Sequence, residues 1–206
     1  MKVLFVAATL PEIASSIQLL EQKNIDYIIT GVGMLSTSYA LSKKLQKSRY
    51  DLIINVGIAG ILDPQAPLGK VYQLLTDQIY EFGAEDQESF VPIETLGFGK
   101  AQYTQRLPLQ PIALPECDSA VGITVNKVHG SQASTAKLRS EFDGTNLLES
   151  MEGVAVFMVA EMENTPVLQF RASSNHILPR NKDTWEIGLA IESLSVFIQK
   201  LVLDLA

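Results

Sequence analysis

The 206-residue sequence holds one cysteine, Cys117, and two histidines, His129 and His176. A single cysteine excludes an internal disulfide and a cysteine-based zinc cage. Neither histidine has a second histidine or a cysteine at ligand spacing, so we expect no metal ion and no cofactor. The sequence also lacks the G-x-S-x-G motif expected of a serine–histidine–aspartate hydrolase. Both histidines are therefore interpreted as structural.

Positive charge and long apolar runs are scarce as well. Sixteen Lys and Arg face 23 Asp and Glu, for a net charge of −7, and no basic tract is present, which argues against a nucleic-acid partner. No apolar run is long enough for a membrane span. The short apolar N-terminus runs into Pro11 and Glu12, which favours a buried strand over a signal peptide. With 47% hydrophobic residues, we expect one cytoplasmic domain over residues 1–206 without membrane contact.

The N-terminal third alternates apolar runs, glycine-rich turns and helical patterns. Strands are predicted over residues 3–8, 25–30 and 52–56. Thr9 can cap the helix after the first strand, and Ser36 or Thr37 the helix after the second. Such alternation predicts a parallel or mixed sheet with helices outside it.

The rest of the chain continues this pattern around one irregular segment. Residues 83–116 start acidic and contain four prolines, which predicts a long excursion that serves as a lid or a subunit contact. The remaining predicted elements are strands over 71–80, 120–128 and 166–172 and helices over 132–142, 151–163 and from Asn181 onward.

Two glycine-rich segments, 31–33 and 57–60, are interpreted as turns that follow strands. Ligands bind at the carboxyl ends of strands in open sheets, where glycine allows close approach to the backbone. The first segment lacks the third glycine of a dinucleotide fingerprint, and neither has the lysine of a P-loop. Taken separately, each segment is equally well explained as a tight connection.

Three polar positions are candidates for chemistry, each with a structural alternative. Glu12 can activate water at the sheet edge, or merely complete a capping box with Thr9. Glu152 can accept hydrogen bonds from both hydroxyls of a diol, or favour a helix dipole. Asn175, in the polar stretch 171–176, offers a donor and an acceptor to a purine edge, or forms a turn.

Together these pieces resemble the nucleoside phosphorylase/nucleosidase superfamily. The matching elements are Glu12, Gly31–Gly33, Asn55–Gly60, Met151–Gly153 and Arg171–Asn175. Within the superfamily the sequence is similar to the futalosine hydrolase family, which belongs to an alternative menaquinone pathway. The residues that carry this similarity are Phe82–Asp86, Gly122–Asn126, Glu149–Gly153, Ser174–His176 and Pro179–Ile187. The resemblance implies a three-layer α/β sandwich with a mixed central sheet and a homodimer, with 83–116 as a contributor to the subunit contact.

The resemblance also implies roles for individual residues. Glu12 would be the general base for water, and Glu152 would take the ribose hydroxyls beside Met151. Asn175 would contact N7 of the leaving purine, and Trp185 stands where relatives place an aromatic lid residue. The candidate substrate-binding residues are Gly57, Ile58, Ala59, Met151, Glu152, Ser174 and Trp185.

Two positions refine these implications. Adenine-preferring relatives have aspartate at the position of Asn175, whereas asparagine resembles enzymes for 6-oxopurines, which implies release of hypoxanthine from futalosine. Phosphorylases have an arginine at the position of Asn55. Without that charge a phosphate dianion is poorly stabilised, so water is the expected nucleophile.

The sequence departs from the family at Asn181, which replaces aspartate and caps a helix equally well.

Other functions remain open at this point. The first is a nucleosidase for methylthioadenosine, S-adenosylhomocysteine or aminodeoxyfutalosine, which would release adenine. The second is a purine-nucleoside binding module without catalytic activity, which the two candidate carboxylates Glu12 and Glu152 argue against. The third is an α/β interaction domain without a ligand, whose melting temperature no nucleoside would raise.

Overall fold

The computed structural model describes residues 1–205 and has ten strands and five α-helices in that range. The strands are β1 (Val3–Ala7), β2 (Asp26–Ile29), β3 (Leu52–Ile61), β4 (Val71–Ile79), β5 (Gly83–Asp86), β6 (Ser89–Pro92), β7 (Gln102–Thr104), β8 (Asp118–Thr124), β9 (Leu147–Ser150) and β10 (Val167–His176). The helices are α1 (Ile17–Gln22), α2 (Met34–Leu45), α3 (Gln132–Glu141), α4 (Gly153–Met162) and α5 (Ile187–Asp204).

The central sheet is mixed and closes on itself at one end. Its strand order is β10-β4-β8-β9-β3-β1-β2, and β7 adds to β4. Strand β10 also pairs in parallel with β3, from Val167 opposite Ile53 to His176 opposite Ile61. Strands β3, β10, β4, β8 and β9 therefore form a closed barrel, and β1 and β2 extend the sheet from the first half of β3. The predicted α/β fold with a mixed central sheet is confirmed.

Helices cover both faces of this sheet. On one face, Phe5 and Ile54 pack with Leu194 and Ile198 of α5 in the largest apolar cluster. On the other, Val6 and Ile53 pack with residues of α2 and α4. Strand β1 is apolar throughout, and the first half of β3 is apolar except for Asn55, because both faces of these segments are buried between helices, as the sequence pattern predicts.

Strands β3 and β10 run further than predicted. Gly57–Gly60 is not a turn but lies within β3, and the polar stretch Arg171–His176 lies within β10 rather than in a loop. The glycines are needed because side chains of β10 lie against them. A Cβ added at Gly57 would lie 2.0 Å from Nη1 of Arg171. Glycine inside a strand often marks such a close approach.

Helix starts differ from prediction as well. Gly33, with φ of 94°, precedes α2, whereas Thr37, a predicted cap, is buried inside the helix. The helix predicted from Thr9 begins with two 3₁₀ turns before α1 starts at Ile17. Asn181 caps a short 3₁₀ turn by accepting a hydrogen bond from the backbone N–H of Asp183.

The excursion at 83–116 contains more regular structure than its prolines suggest. Strands β5 and β6 form a separate hairpin, and β7 pairs with β4. Strand β9 was not predicted. Its four residues do not alternate in polarity, and they run almost directly into the helix pattern that follows them.

Candidate active site

Glu12 is held by three hydrogen bonds at the carboxyl end of β1. Its Oε2 accepts from the backbone N–H and the hydroxyl of Thr9, each at 2.8 Å. Its Oε1 accepts from the backbone N–H of Ile58 at 3.0 Å. The side chain thus makes the contact with Thr9 expected of a capping box and also joins β1 to β3. This fixes the carboxylate in a buried position over β3.

Gly57 forms the floor beneath this carboxylate. A Cβ added at Gly57 would lie close to the guanidinium of Arg171 and also 2.7 Å from Oε1 of Glu12. The guanidinium and the carboxylate therefore share the space above Gly57. Arg171 is 1% exposed. Sequence reasoning placed Arg171 only in a polar strand end and missed that it faces Glu12.

Glu152 lies at the start of α4 and reaches across to the first glycine-rich segment. Its Oε1 accepts from the backbone N–H of Gly33 at 2.8 Å, and the side chain is buried. The backbone N–H of Gly31 in turn donates to the carbonyl of Ala8, directly after β1. The segment that carries Glu12 therefore lies beside the turn at 31–33 and beside Glu152 with its half-buried neighbour Met151.

Asn175 lies on β10 beside the second half of β3. The Ser174 hydroxyl is within hydrogen-bond distance of the Ala59 carbonyl, at 3.1 Å, and of Oδ1 of Asn175, at 3.0 Å. Nδ2 of Asn175 lies 3.2 Å from the position of a Cβ on Gly60. The amide of Asn175 is thus turned over Gly60 and held by its neighbours.

Trp185 is attached to the same strand through the next residue. The backbone N–H of Glu186 donates to the carbonyl of Ser174 at 2.7 Å. The guanidinium of Arg180 lies 4.9 Å from the centre of the indole ring. Trp185 is half-buried, and the segment that carries it is fixed to β10 on its carboxyl side.

A buried polar network inside the barrel supports the floor of the site. Asp77 accepts from Thr124 Oγ1 at 2.9 Å and from Gln169 Nε2 at 2.8 Å. Oε1 of Gln169 accepts from Asn55 at 2.6 Å and from Arg171 Nη2 at 3.4 Å. Burial raises the pKa of Asp77 to about 6, and the charge of Arg171 opposes that rise. Polar residues inside apolar strands were the sequence signal for this network.

A second buried pair, Glu149 and His129, lies on the outer side of the barrel. Both carboxylate oxygens of Glu149 accept from the backbone N–H of His129, at 3.1 and 3.3 Å, and Oε2 also contacts Nδ1 of the ring. The side chains are 4% and 9% exposed, respectively. The ring of Tyr80 packs edge-on against the imidazole at 5.0 Å. Burial raises the pKa of Glu149, and the hydrogen bonds from His129 oppose this shift.

The part of the chain described, residues 1–205, brings no three His, Cys, Asp or Glu side chains together in the way a metal site requires. Over the same residues, no helix is both long and apolar enough to cross a membrane.

The fold and the site define an α/β protein with two buried carboxylates at the carboxyl ends of its central strands. The family model described as the phosphorylase superfamily matches residues 16–206. The chain belongs to that superfamily.

Individual relatives agree with the predicted resemblance. A futalosine hydrolase of Streptomyces coelicolor is 35% identical over 154 residues, which are 74% of this chain and 65% of that protein, so the match spans less than two thirds of the relative's length. A futalosine hydrolase mutant of Helicobacter pylori has the same fold, with a TM-score of 0.78 at 13% identity and full coverage of both chains. A methylthioadenosine/S-adenosylhomocysteine nucleosidase of Colwellia psychrerythraea, in complex with adenine, superposes with a TM-score of 0.77 at 18% identity, over 100% of this chain and 96% of the other. The similarity to futalosine hydrolases predicted from the sequence is confirmed.

Proposed function

We propose that the chain is a purine nucleosidase that hydrolyses the N-glycosidic bond of futalosine with water and releases hypoxanthine. The observation that carries this proposal is the buried carboxylate of Glu12, fixed by three donors over Gly57 beside the guanidinium of Arg171. The 35% identity to a futalosine hydrolase supports the choice of nucleoside. The substrate would place the activity in the alternative menaquinone pathway.

The residues divide the reaction between the two sides of the sugar. Glu12 takes a proton from water as the water oxygen bonds to C1′ of the ribose. The bond from C1′ to N9 breaks, and its electron pair leaves with the purine. Solvent protonates the departing base at N7, so it is released as neutral hypoxanthine, and the proton taken by Glu12 returns to solvent. Glu152 accepts hydrogen bonds from the ribose hydroxyls. The amide of Asn175 stabilises the charge that develops on the departing base around N7. This reaction needs one water molecule between the carboxylate of Glu12 and the sugar, as in inverting glycosidases.

The surroundings of Asn55 support water over phosphate as the nucleophile. This residue stands where phosphorylases have an arginine, and its amide is buried and donates to Gln169 at 2.6 Å. Arg171, the cation beside Glu12, is bonded to the same glutamine, and Asp77 balances its charge. The site therefore offers little uncompensated positive charge to a phosphate dianion.

A second nucleosidase activity, with adenine as the leaving group, is favoured by the fold shared with the Colwellia nucleosidase. The side chain at position 175 discriminates between the two. Asparagine can donate to O6 and N7 of a 6-oxopurine, whereas a carboxylate only accepts.

We expect Asn175→Asp to release hypoxanthine from futalosine at least tenfold more slowly than the wild type. We also expect it to reduce the preference for futalosine over aminodeoxyfutalosine. The reason is that the introduced carboxylate repels O6 but accepts from a 6-amino group. Base release from both nucleosides, followed by chromatography, measures the effect. Asn181→Asp is the matched control, because aspartate caps a 3₁₀ turn as well as asparagine does. An unchanged preference in Asn175→Asp would remove Asn175 from base recognition.

The homodimer implied by the family resemblance has a candidate surface next to the site. Val32, Leu35 and Tyr39 are 56%, 87% and 69% exposed, respectively, at the start of α2, directly beside Gly33. Leu107 and Leu109 of the excursion are exposed as well, but they follow Arg106, whose backbone bonds Val167 at the amino end of β10, so they do not belong to the patch beside Gly33. An apolar patch of this kind at a site is typical of a subunit contact. The cytoplasmic location stays a prediction.

We expect Leu35→Glu to shift the protein from dimer to monomer, because a carboxylate would then be buried without a partner. Light scattering at micromolar concentration measures the mass. Leu203→Glu, at another exposed position on α5 on the other side of the sheet, is expected to leave the dimer intact. A wild-type monomer would contradict the dimer itself.

A further inference from the structure

Asp77 lies inside the barrel on β4, and hydrogen bonds lead from it toward both candidate carboxylates, Glu12 and Glu152. Its side chain is fully buried and accepts from Thr124 at one oxygen and from Gln169 at the other. Thr124 is the last residue of β8, and Gln169 lies on β10. A buried and fully bonded carboxylate of this kind holds the segments that donate to it in one arrangement.

One branch of the network leads through Thr124 to the start of α4. The Thr124 hydroxyl donates to Oδ1 of Asp77 at 2.9 Å, and its oxygen accepts from the backbone N–H of Val154 at 2.8 Å. Val154 is the second residue of α4 and follows Glu152 by two positions. Because an ionised carboxylate only accepts, Asp77 fixes the direction of the hydroxyl that holds this end of the helix.

Gly153 brings the same end of α4 into contact with the carboxylate. A Cβ on Gly153 would lie 2.1 Å from Oδ2 of Asp77 and 2.6 Å from Oε1 of Gln169, so only glycine permits this approach. The positive end of the helix dipole therefore lies against Asp77 and favours its ionised form. Glu152, which directly precedes Gly153, takes its position from this contact.

The other branch leads through Gln169 to Arg171. Nε2 of Gln169 donates to Oδ2 of Asp77 at 2.8 Å. Its Oε1 is thereby turned to accept from Asn55 at 2.6 Å and from Nη2 of Arg171 at 3.4 Å. A reversed amide would point its NH₂ at both of these donors, so Asp77 sets the direction of the amide. Arg171 in turn lies beside Oε1 of Glu12.

We propose that Asp77 is a positioning residue for the nucleosidase reaction, whose two branches of hydrogen bonds hold Glu152 and Glu12 in their relative positions. Glu152 binds the ribose and Glu12 activates the water, so the network aligns the sugar with its nucleophile. A displacement of about 1 Å in such groups can cost about a hundredfold in rate. This inference rests on the proposed function, because it concerns the same two carboxylates.

Asp77→Asn tests the residue without a change of shape. Asparagine can accept at only one of the two positions, so either Thr124 or Gln169 loses its acceptor. We expect kcat/KM for futalosine to fall about tenfold to a hundredfold. Asp118→Asn, at an exposed aspartate of the same barrel that is bonded to Lys70, is the control and is expected to keep the wild-type value. Wild-type kcat and KM in a folded Asp77→Asn protein would overturn the proposal.

Substitutions at Thr124 separate positioning from stability, and they decide the matter if Asp77→Asn fails to fold. Thr124→Val removes the bonds to Asp77 and Val154. We expect it to raise KM for futalosine about tenfold with a smaller change in kcat, because Glu152 binds the ribose in the ground state as well. Thr124→Ser retains the hydroxyl and is expected to keep both constants near the wild type.

A double-mutant cycle shows whether Thr124 acts through Glu152. In a Glu152→Gln background, Thr124→Val is expected to cost little further, because the side chain that it displaces no longer binds the ribose in the same way. Equal effects of valine and serine at position 124, or a full effect of valine in the Glu152→Gln background, would overturn the proposal.

Amide hydrogen exchange, which needs no substrate, distinguishes this inference from the proposed function. We expect the N–H of Val154 to exchange about tenfold faster in Thr124→Val than in the wild type, because it loses its acceptor. Faster exchange, together with no cleavage of futalosine by the wild type, would support the hold of the network on α4 and contradict the nucleosidase. Cleavage of futalosine with unchanged exchange in Thr124→Val would support the nucleosidase and contradict the link from Asp77 to Glu152.

Discussion

Glu12→Gln is expected to lower the turnover of futalosine roughly a hundredfold or more, while the affinity for the nucleoside stays nearly unchanged. The amide has the shape of the carboxylate but cannot take a proton from water. Its oxygen can still accept from Ile58 at the position of Oε1, now 3.0 Å from that N–H. Single-turnover base release and equilibrium titration with the substrate measure the two quantities separately.

The control for this substitution is Glu21→Gln on α1, an exposed glutamate away from the site. It is expected to keep wild-type turnover and affinity. Full turnover in Glu12→Gln would remove Glu12 from the reaction. Loss of affinity together with turnover would instead show that the carboxylate serves mainly to hold the substrate or the local fold.

Arg171→Met is expected to lower the free energy of unfolding at pH 7 by about 3–5 kcal/mol, in the range seen when one member of a buried charged pair is removed. Arg171 is 1% exposed, and its charge lowers the pKa of the fully buried Asp77. Without the guanidinium, the ionised Asp77 has no compensating cation inside the barrel. Urea unfolding of the wild type and the variant measures the loss.

The stability cost of Arg171→Met is expected to depend on pH, because Asp77 titrates in the folded protein. The pKa of Asp77 is raised in the fold to about 6 from an ordinary value of 3.8. The folded protein therefore binds this proton more tightly than the unfolded chain does. The stability contributed by the protonated form is present below about pH 4 and is lost as the pH rises through 6. The cost of Arg171→Met is accordingly expected to be smaller at pH 5, where Asp77 carries a proton, than at pH 7.

The double variant Arg171→Met/Asp77→Asn isolates the cause. Once Asp77 is neutral, the loss of Arg171 is expected to cost less than it does alone, and a double-mutant cycle measures the difference. Arg106→Met, at an exposed arginine bonded to Asn164, is expected to change stability by less than 0.5 kcal/mol, as is usual for surface positions. A cost of Arg171→Met that is independent of both pH and Asp77 would contradict the charge argument.

The architecture was largely predictable, because burial between two helical layers leaves a direct trace in the sequence. The apolar runs that became β1 and the first half of β3 are typical of strands covered on both faces. The face of α5 that packs on the sheet, including Leu194, Ile198 and Leu201, follows the helical spacing of its apolar residues.

The closure of the barrel was not predictable from such patterns. Local sequence does not reveal that β10 pairs with both β3 and β4. For the same reason Gly57–Gly60 was interpreted as a turn: glycine permits a turn and a close approach equally. Only the side chain of Arg171 above Gly57 decides between the two.

The site was predicted in part. The position of Glu12 after the first strand and of Glu152 before α4 could be found from the order of the motifs. Asp77 and Glu149 could not, because each gains its partner from a distant segment, Asp77 from Gln169 and Glu149 from His129. A charged residue inside a predicted strand was the one local sign of Asp77, and it does not name the partner. Glu149 had no such sign, because its strand β9 was not predicted.

The most direct test of the central claim is base release from purine nucleosides in the absence of phosphate. The purified protein is incubated with futalosine, inosine, methylthioadenosine and aminodeoxyfutalosine, and free base is followed by chromatography. We predict hypoxanthine from futalosine, with little or no base from the other three. Adenine from methylthioadenosine or aminodeoxyfutalosine would contradict base recognition by Asn175, and no base from any of the four without phosphate would contradict the hydrolase itself.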